Sequence, residues 1–126
     1  MQNNSHSQMK RYIEDTLQKS CVQWFDLQYG HISWALFHVP NGGQRNAKEA
    51  AKFKAMGVRP GVPDLILILP RGGYHYLALE LKVGKNKQTE NQKWYQSKMT
   101  ENGGKYVVIR SLDDFIETVN AYLHQD

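Results

Sequence analysis

The sequence predicts an α/β domain, in which helices pack on a mixed sheet. Apolar residues recur every three or four positions near both ends of the 126-residue chain, which is typical of amphipathic helices. Short apolar segments between them are bounded by glycine and proline turns, as strands are. A strand–helix–strand order from residues 74–83 to residues 105–110 implies a right-handed parallel crossover.

The chain is predicted to begin with a helix over residues 8–28, which either Ser5 or Ser7 can cap. Its stripe of apolar side chains is Met9, Ile13, Leu17, Cys21 and Trp24. Residues 32–39 are rich in aromatic and β-branched side chains, which predicts a strand that stops at a Pro-Asn-Gly-Gly turn. We expect His38, at the end of this strand, to make a structural hydrogen bond.

A short helix and a hairpin follow. Residues 47–56 are rich in Ala and Lys, which favours a helix ended by Gly57. The next six residues contain two prolines and a glycine and are therefore not helical. Residues 64–69 contain an LILIL run, which predicts a strand buried on both faces. After a turn, residues 74–83 form the returning strand.

The last third of the chain is predicted to be helix, strand and helix. Residues 89–92 have the spacing of a capping box and begin a helix that reaches about Glu101. Within it, Trp94 is expected to belong to the core. Residues 105–110 form the last strand, and Ser111 caps a final amphipathic helix.

The composition excludes several classes of protein. The net charge is +4 and 40% of the residues are hydrophobic, so the chain is not a disordered charged tail. Its longest apolar run has five residues, against the roughly 18 that a membrane span needs. The polar start lacks a signal-peptide core, and the single Cys21 excludes an intrachain disulfide. We expect one cytoplasmic domain over residues 1–126, with residues 1–7 flexible.

The charge is unevenly distributed. Residues 45–59 and residues 82–98 each hold five Lys and Arg against one Glu, whereas residues 111–126 hold four acidic residues and no Lys or Arg. If the two basic segments meet in space, they form a face that binds a polyanion. The alternative is that each is an ordinary solvated helix face.

Three charged residues interrupt two strands that are otherwise apolar. Asp64 opens one strand, and Glu80 and Lys82 lie in the next, where the alternation of side chains puts both on one side of the sheet. The hairpin places Asp64 opposite Glu80 to within about one residue, at a Cβ separation of roughly 5 Å. Two carboxylates this close repel each other unless a cation lies between them.

A hard divalent cation, above all Mg²⁺, suits such a pair of carboxylates. The Leu81 carbonyl, waters and a substrate phosphate can complete its coordination. The alternative is an ion pair between Lys82 and a carboxylate at the end of the hairpin. Charges are costly to bury without a partner or a task, and this favours the functional interpretation.

The same residues resemble a known superfamily. A Pro-Asp pair at Asp64, followed sixteen residues later by Glu-Leu-Lys at residues 80–82, matches the PD-(D/E)xK nuclease signature. The Gly-Val-Arg-Pro-Gly-Val-Pro-Asp string at residues 57–64, with Gln92 downstream, makes residues 14–123 similar to the VRR-NUC (virus-type replication-repair nuclease) branch. The resemblance implies a restriction-endonuclease-like αβββαβ core, which agrees with the predicted order of elements.

The resemblance also implies roles for single residues. Asp64 and Glu80 look like the metal ligands, and Lys82 looks like the residue that positions or activates the attacking water. Gln92 resembles the motif glutamine that orients water or the lysine; a capping box is the structural alternative and is compatible with it. Glu14 stands where the family carries an acidic residue on its first helix, and a solvated surface acid is the alternative.

Several residues are candidates for contacts to DNA. Asn41 and Arg45 lie in the family motif near the metal, which favours phosphate contacts over turn and surface roles. Lys85 and Lys87, in the loop after the catalytic strand, are the strongest candidates for contacts to the duplex backbone. The other candidates in the two basic segments are Lys52, Lys54, Arg59 and Lys93.

The function implied is that of a Mg²⁺-dependent endodeoxyribonuclease, with Mn²⁺ able to substitute, which leaves 5′-phosphate and 3′-hydroxyl ends. Small single-domain members resemble nucleases of Holliday junctions or other branched DNA, and the two cuts that a symmetric junction needs predict a homodimer. The resemblance suggests a bacterial or phage-infected host cell. The alternatives are a less selective nuclease of flaps or ends, and a non-catalytic DNA-binding subunit that keeps the nuclease fold.

Overall fold

The computed structural model describes residues 2–41 and 46–125. Within these residues the chain forms four α-helices, a 3₁₀ helix and one four-stranded sheet. The elements are α1 (Gln2–Gln28), the 3₁₀ helix (Gly30–Ala35), β1 (Leu36–His38), α2 (Ala47–Ala55), β2 (Leu65–Leu67), β3 (Leu77–Leu81), α3 (Glu90–Glu101), β4 (Lys105–Ile109) and α4 (Leu112–Leu123). None of the helices in the described ranges is long and apolar enough to cross a membrane.

The sheet has the strand order β1-β2-β3-β4. β1 and β3 run antiparallel to β2, whereas β4 runs parallel to β3. The predicted mixed α/β fold, with a hairpin and a parallel crossover, is therefore confirmed. The hairpin register pairs Leu65 with Leu79 and Leu67 with Leu77, so the next pair outward is Asp64 and Glu80.

The hydrophobic core lies on one face of the sheet. Alternate residues of β2 and β3 point to this face and pack with α1 and α4. The buried helix residues of this core are Cys21, Phe25, Phe115, Val119 and Tyr122. Each large apolar side chain that is fully buried contributes about 1.5–3 kcal/mol. The opposite face meets α3, which packs against β4, and this face carries the charged residues of the hairpin.

The prediction of a strand over residues 32–39 is largely wrong. Residues 30–35 form the 3₁₀ helix, and β1 has only three residues, the last being His38. The chain keeps turning after α1 because the Tyr29 N–H donates to the Phe25 carbonyl and the Ile32 N–H donates to the Tyr29 carbonyl. The aromatic and β-branched residues of this segment therefore pack from a helical turn rather than from a strand.

Helix α1 begins earlier than predicted, at Gln2, so Ser5 and Ser7 lie inside the helix and do not cap it. The predicted apolar stripe is buried only in the second half of the helix, since Met9 and Ile13 are exposed. The reason is length: the 27 residues of α1 span roughly 40 Å, whereas strands of three to five residues span only about 10–17 Å. The first half of α1 extends beyond the core.

Burial on the opposite face was also overestimated from the sequence. Strand β2 is shorter than predicted, and Ile68 after it is 42% exposed rather than buried. Phe37 of β1 is 43% exposed, because α3 packs against β4, at the other edge of the sheet. Trp94 is 55% exposed and does not belong to the core, since α3 turns Gln96 rather than Trp94 toward the charged residues of β3.

The loop between α2 and β2 depends on Gly61. Its φ is +88°, in the left-handed region, and an added Cβ would lie 2.6 Å from the backbone carbonyl carbon of Asn91 in α3. We expect Gly61→Ala to lower the free energy of unfolding by about 1–3 kcal/mol, as measured by urea unfolding. Gly57→Ala is the matched control, since Gly57 has a φ of +103° but no atom within 4 Å of an added Cβ. Equal losses in the two variants would contradict a role for the contact with Asn91.

Candidate active site

Two carboxylates meet where strands β2 and β3 pair. Asp64 immediately precedes β2, and the hairpin register places it opposite Glu80 of β3. The Leu81 N–H donates to Asp64 Oδ2 at 2.7 Å, which fixes the aspartate against the neighbouring strand. The hairpin therefore brings the two acids together by backbone pairing and by one side-chain hydrogen bond.

Glu80 is fully buried, which is rare for a carboxylate. Its Oε1 accepts hydrogen bonds from the Tyr106 hydroxyl and, at 3.3 Å, from Gln88 Nε2. Its Oε2 is buried and has no hydrogen-bond partner within the described part of the chain. An unsatisfied buried carboxylate oxygen is costly, so this atom indicates a site for a ligand that the protein alone does not supply.

The surroundings of Asp64 disfavour its charged form. Burial raises its pKa first of all, and the nearby Glu80 carboxylate raises it further. The Leu81 N–H, His38 and Lys82 act in the opposite direction without cancelling the rise. Two acids in this environment ionise together more easily when a cation lies between them.

Lys82 lies two residues beyond Glu80, on the same side of the sheet, and is 8% exposed. Its backbone N–H donates to the Ile109 carbonyl at 2.9 Å. The ion pairs among the described residues are Lys93–Glu90 and Lys98–Glu101, so the alternative of a simple Lys82 ion pair with a hairpin carboxylate is not realised. The charge of Lys82 nevertheless lowers the pKa of Asp64 and of Glu14, so Lys82 lies within electrostatic range of these acids.

Glu14 approaches the same site from α1. It is half-buried, and its pKa is raised first by that burial and next by the charge of Asp64. Lys82 lowers the pKa, and Asp15 and Glu80 raise it. Glu14 therefore lies within electrostatic range of the hairpin charges, whereas its neighbour Asp15 is exposed. These contacts distinguish Glu14 from an ordinary surface acid.

Gln92 serves a structural purpose at the start of α3. The Thr89 N–H donates to Gln92 Oε1 at 2.8 Å, and the Gln92 N–H donates to Thr89 Oγ1 at 3.2 Å. This reciprocal pair is the predicted capping box. The bonds occupy the Gln92 side-chain oxygen and leave its amide nitrogen outside the capping box.

The structure describes the segment after β1 only in part. His38 Nδ1 lies 2.7 Å from the Asp64 carbonyl oxygen, so the predicted structural role of this histidine is confirmed. Asn41 is half-buried at the end of the first described range. Arg45, the other candidate from this motif, lies outside the described residues.

The loop that follows β3 is held at both sides. Arg110 Nη1 donates to the Gly84 carbonyl at 3.1 Å, and Lys10 Nζ donates to Asn86 Oδ1 at 3.3 Å. The exposed lysines of this loop are Lys85 and Lys87. Both lysines thus project from an anchored loop that connects β3 to α3, and Lys85 lies three residues after Lys82.

The other predicted DNA contacts differ in their surroundings. Lys52 and Lys54 are exposed on α2. Arg59 Nη1 donates to the Lys54 carbonyl at 3.1 Å, which ties its side chain to the end of that helix. Lys93 is paired with Glu90 at 3.4 Å, so its charge is partly compensated and it is the weakest of these candidates.

The side chains that orient Glu80 were missed at the sequence level. Tyr106 lies in β4, Gln88 precedes α3, and Gln96 accepts a hydrogen bond from Gln88 Nε2 at 2.8 Å. A tyrosine in an apolar strand and two glutamines near a helix start carry no recognisable spacing. Tyr106 can be found only from the parallel register of β3 and β4, and the sequence does not specify that register.

The oxygen atoms of the hairpin suit a hard cation that takes only a few ligands from the protein. No group of three or more His, Cys, Asp or Glu side chains within residues 2–41 and 46–125 is arranged to hold a metal ion. The hairpin offers two carboxylates, one with a buried free oxygen. Mg²⁺ is commonly bound by one or two carboxylates together with waters and substrate phosphates, so this small set suits it.

Comparisons with known proteins identify one family. The VRR-NUC domain model matches residues 5–113. A solved structure described as a VRR_NUC domain protein is 33% identical, with a TM-score of 0.77, and the match covers 89% of this chain and 88% of that chain. No curated protein matches. The chain belongs to the VRR-NUC domain family, as its motifs predict, and membership implies a nuclease-type function.

Proposed function

We propose that this protein is a Mg²⁺-dependent endodeoxyribonuclease of the PD-(D/E)xK type, which cuts branched DNA and acts on four-way junctions as a homodimer. The observation that carries the proposal is the buried Glu80 Oε2, which has no partner among the described residues and lies where β3 pairs with Asp64. A protein that only binds DNA has no need of paired acids in such a place. Membership of the VRR-NUC family supports the same conclusion.

Asp64 and Glu80 are the residues that would hold the cation, and the Leu81 carbonyl is a further candidate ligand. A bound Mg²⁺ lowers the pKa of a coordinated water and offsets the negative charge of the phosphate. Mn²⁺, which accepts the same oxygen ligands, is expected to substitute. Glu14 is half-buried within range of both acids and can join them directly or through water.

Lys82 is the residue we assign to the reacting phosphate. Lys82 is largely buried and, among the described residues, makes no ion pair with the hairpin acids. In this position it can hold the attacking water and stabilise the charge that develops on the phosphate oxygens, an effect that is strong where water is excluded. Gln92, whose amide nitrogen is not used by the capping box, orients the same water or Lys82.

The DNA backbone is expected to follow the exposed basic side chains that precede and follow the hairpin in the sequence. Lys85 and Lys87 project from the anchored loop after β3, and Lys52 and Lys54 from α2. Asn41, Arg45, Arg59 and Lys93 are the remaining candidates for this path. Contacts of this kind bind phosphates without reading the sequence, so they suit an enzyme that selects DNA by its structure.

The proposed dimer rests on exposed apolar side chains as well as on the symmetry of a junction. Three large apolar side chains are exposed near edge strand β1. Trp34 lies just before this strand, Phe37 lies in it, and Ile68 lies beside it. Met9 and Tyr12 are exposed on the first half of α1. Exposed apolar side chains that lie together are candidates for a surface that meets a partner, and a twofold dimer would provide the two active sites that paired cuts need.

One assay tests the activity. The protein is incubated with labelled duplex, flap, fork and four-way junction DNA, with Mg²⁺, with Mn²⁺ or with a chelator. We expect metal-dependent cleavage that is fastest on the four-way junction, and no cleavage with the chelator. Fastest cleavage of flaps or ends would indicate the less selective nuclease. If neither metal supports cleavage of any substrate, the chain is a DNA-binding module instead.

The dimer has its own test. Sedimentation is measured for the protein alone and with a junction that it cannot cut because metal is withheld. We expect the mass of a dimer for the protein alone, and two chains per junction in the complex. A single chain per junction at saturating protein would contradict paired incision while leaving the nuclease assignment intact.

A further inference from the structure

The two oxygens of the Glu80 carboxylate have very different surroundings. Oε1 accepts from the Tyr106 hydroxyl and from Gln88 Nε2. A carboxylate oxygen has about two lone-pair sites, so these two donors fill it. Oε2 is buried and has no partner in the described part of the chain. One oxygen is therefore fixed by the protein, and the other is left available.

The amide of Gln88 has only one orientation that agrees with its neighbours. Its Nε2 lies 3.3 Å from Glu80 Oε1 and 2.8 Å from Gln96 Oε1. An ionised carboxylate only accepts, so the atom that faces it must be the amide nitrogen with its two N–H groups. Gln96 thus holds Gln88, and Gln88 donates to Glu80, which links α3 to β3.

Tyr106 comes from a different element. It lies on β4, where the parallel register pairs it with Ala78, two residues before Glu80 on the same side of β3. Tyr106 is a buried residue, with 9% of its surface exposed. A tyrosine hydroxyl has one hydrogen to donate, and here it goes to Glu80 Oε1.

We propose that Tyr106, assisted by Gln88 and Gln96, is a positioning residue that occupies Glu80 Oε1 and thereby presents Oε2 alone to the divalent cation. The proposal deepens the function given above and rests on the metal site proposed there. Partners of this kind orient metal ligands in many proteins, and their removal typically weakens metal binding about 10–100-fold. Without the hydroxyl, the Glu80 carboxylate can turn and share both oxygens among the remaining donors.

The test is Mn²⁺ binding to the whole protein without DNA, followed by electron paramagnetic resonance of the free ion. Tyr106→Phe keeps the ring and removes only the hydroxyl, and we expect it to weaken Mn²⁺ binding about 10–100-fold. Gln88→Met removes the second donor from a half-buried position, and a smaller loss is expected because its 3.3 Å hydrogen bond is long. In cleavage assays, saturating Mn²⁺ should restore much of the rate of both variants.

Tyr122→Phe is the matched control. Its hydroxyl is also buried and donates to the Leu69 carbonyl at 2.6 Å, but its ring belongs to the core on the opposite face of the sheet. It should lose stability and keep the Mn²⁺ affinity of the parent. Equal Mn²⁺ affinities in Tyr106→Phe and Tyr122→Phe, with both chains folded by circular dichroism, would overturn the positioning role alone. A parent protein that binds no Mn²⁺ would overturn the metal site itself, and the positioning role with it.

Discussion

Lys82→Ala is expected to abolish DNA cleavage, with a loss in kcat of at least about 100-fold, while leaving the affinity for junction DNA close to that of the parent. The reason is that Lys82 is largely buried near the two acids, where in the proposed mechanism it would meet the reacting phosphate rather than the bulk of the DNA backbone. The measurement is single-turnover cleavage of a four-way junction with Mg²⁺, combined with binding of the same junction without metal.

Lys87→Ala provides the opposite pattern as a control. Lys87 is exposed on the loop after β3, so its loss should weaken binding and reduce the salt dependence of the affinity by about one ion. The cleavage rate of the bound complex should change little. If Lys82→Ala cuts as fast as the parent, or if both variants lose only affinity, the proposed role of Lys82 is wrong.

Glu80→Gln is expected to change activity and stability in opposite directions. The substitution keeps the shape of the side chain and an acceptor for Tyr106, but it removes a fully buried charge that faces Asp64. Without metal, relief of the repulsion should raise the free energy of unfolding by about 1–2 kcal/mol. The cleavage rate should fall more than about 100-fold. This exceeds the loss of about 10–100-fold that is usual when a residue that hydrogen-bonds a metal ligand is removed, because here the ligand itself is changed.

The response to metal separates this interpretation from a purely structural one. Mn²⁺ at one hundred times its dissociation constant should stabilise the parent by about 2.7 kcal/mol and leave Glu80→Gln unchanged. Urea unfolding with and without Mn²⁺ measures both values. A variant that is less stable than the parent without metal would show that the Glu80 charge supports the fold rather than a ligand.

The sequence predicts the hairpin and its charged residues well, because local rules determine them. The alternation of Leu77, Leu79 and Leu81 with Glu80 and Lys82 assigns the faces of β3 without knowledge of the rest of the fold. The connection over residues 68–76 then brings β3 back beside β2, with a tight turn bridged by Arg71 and Tyr74. The capping residues Thr89 and Ser111 follow equally local rules, and both occur as predicted.

The features that the sequence does not predict depend on contacts between distant segments. Tyr106 reaches Glu80 because β4 pairs with β3 in one particular parallel register, and the composition of β4 does not specify that register. Trp94 looks like a core residue because of its chemistry, yet the faces of α3 are decided by how the helix lies on the sheet. The 3₁₀ helix after α1 replaces a predicted strand for a related reason, since hydrogen bonds to the end of α1 outweigh strand propensity.

The parallel crossover also affects the order in which the parts of the site come together as the protein folds. Asp64, Glu80 and Lys82 belong to a single hairpin and lie within nineteen consecutive residues, so local closure brings them together at small entropic cost. Tyr106 joins Glu80 only after α3 has crossed over and β4 has paired with β3. We therefore expect a nascent chain on the ribosome to gather its three charged groups early, and to gain the Tyr106 hydroxyl that we propose orients Glu80 only once β4 has emerged.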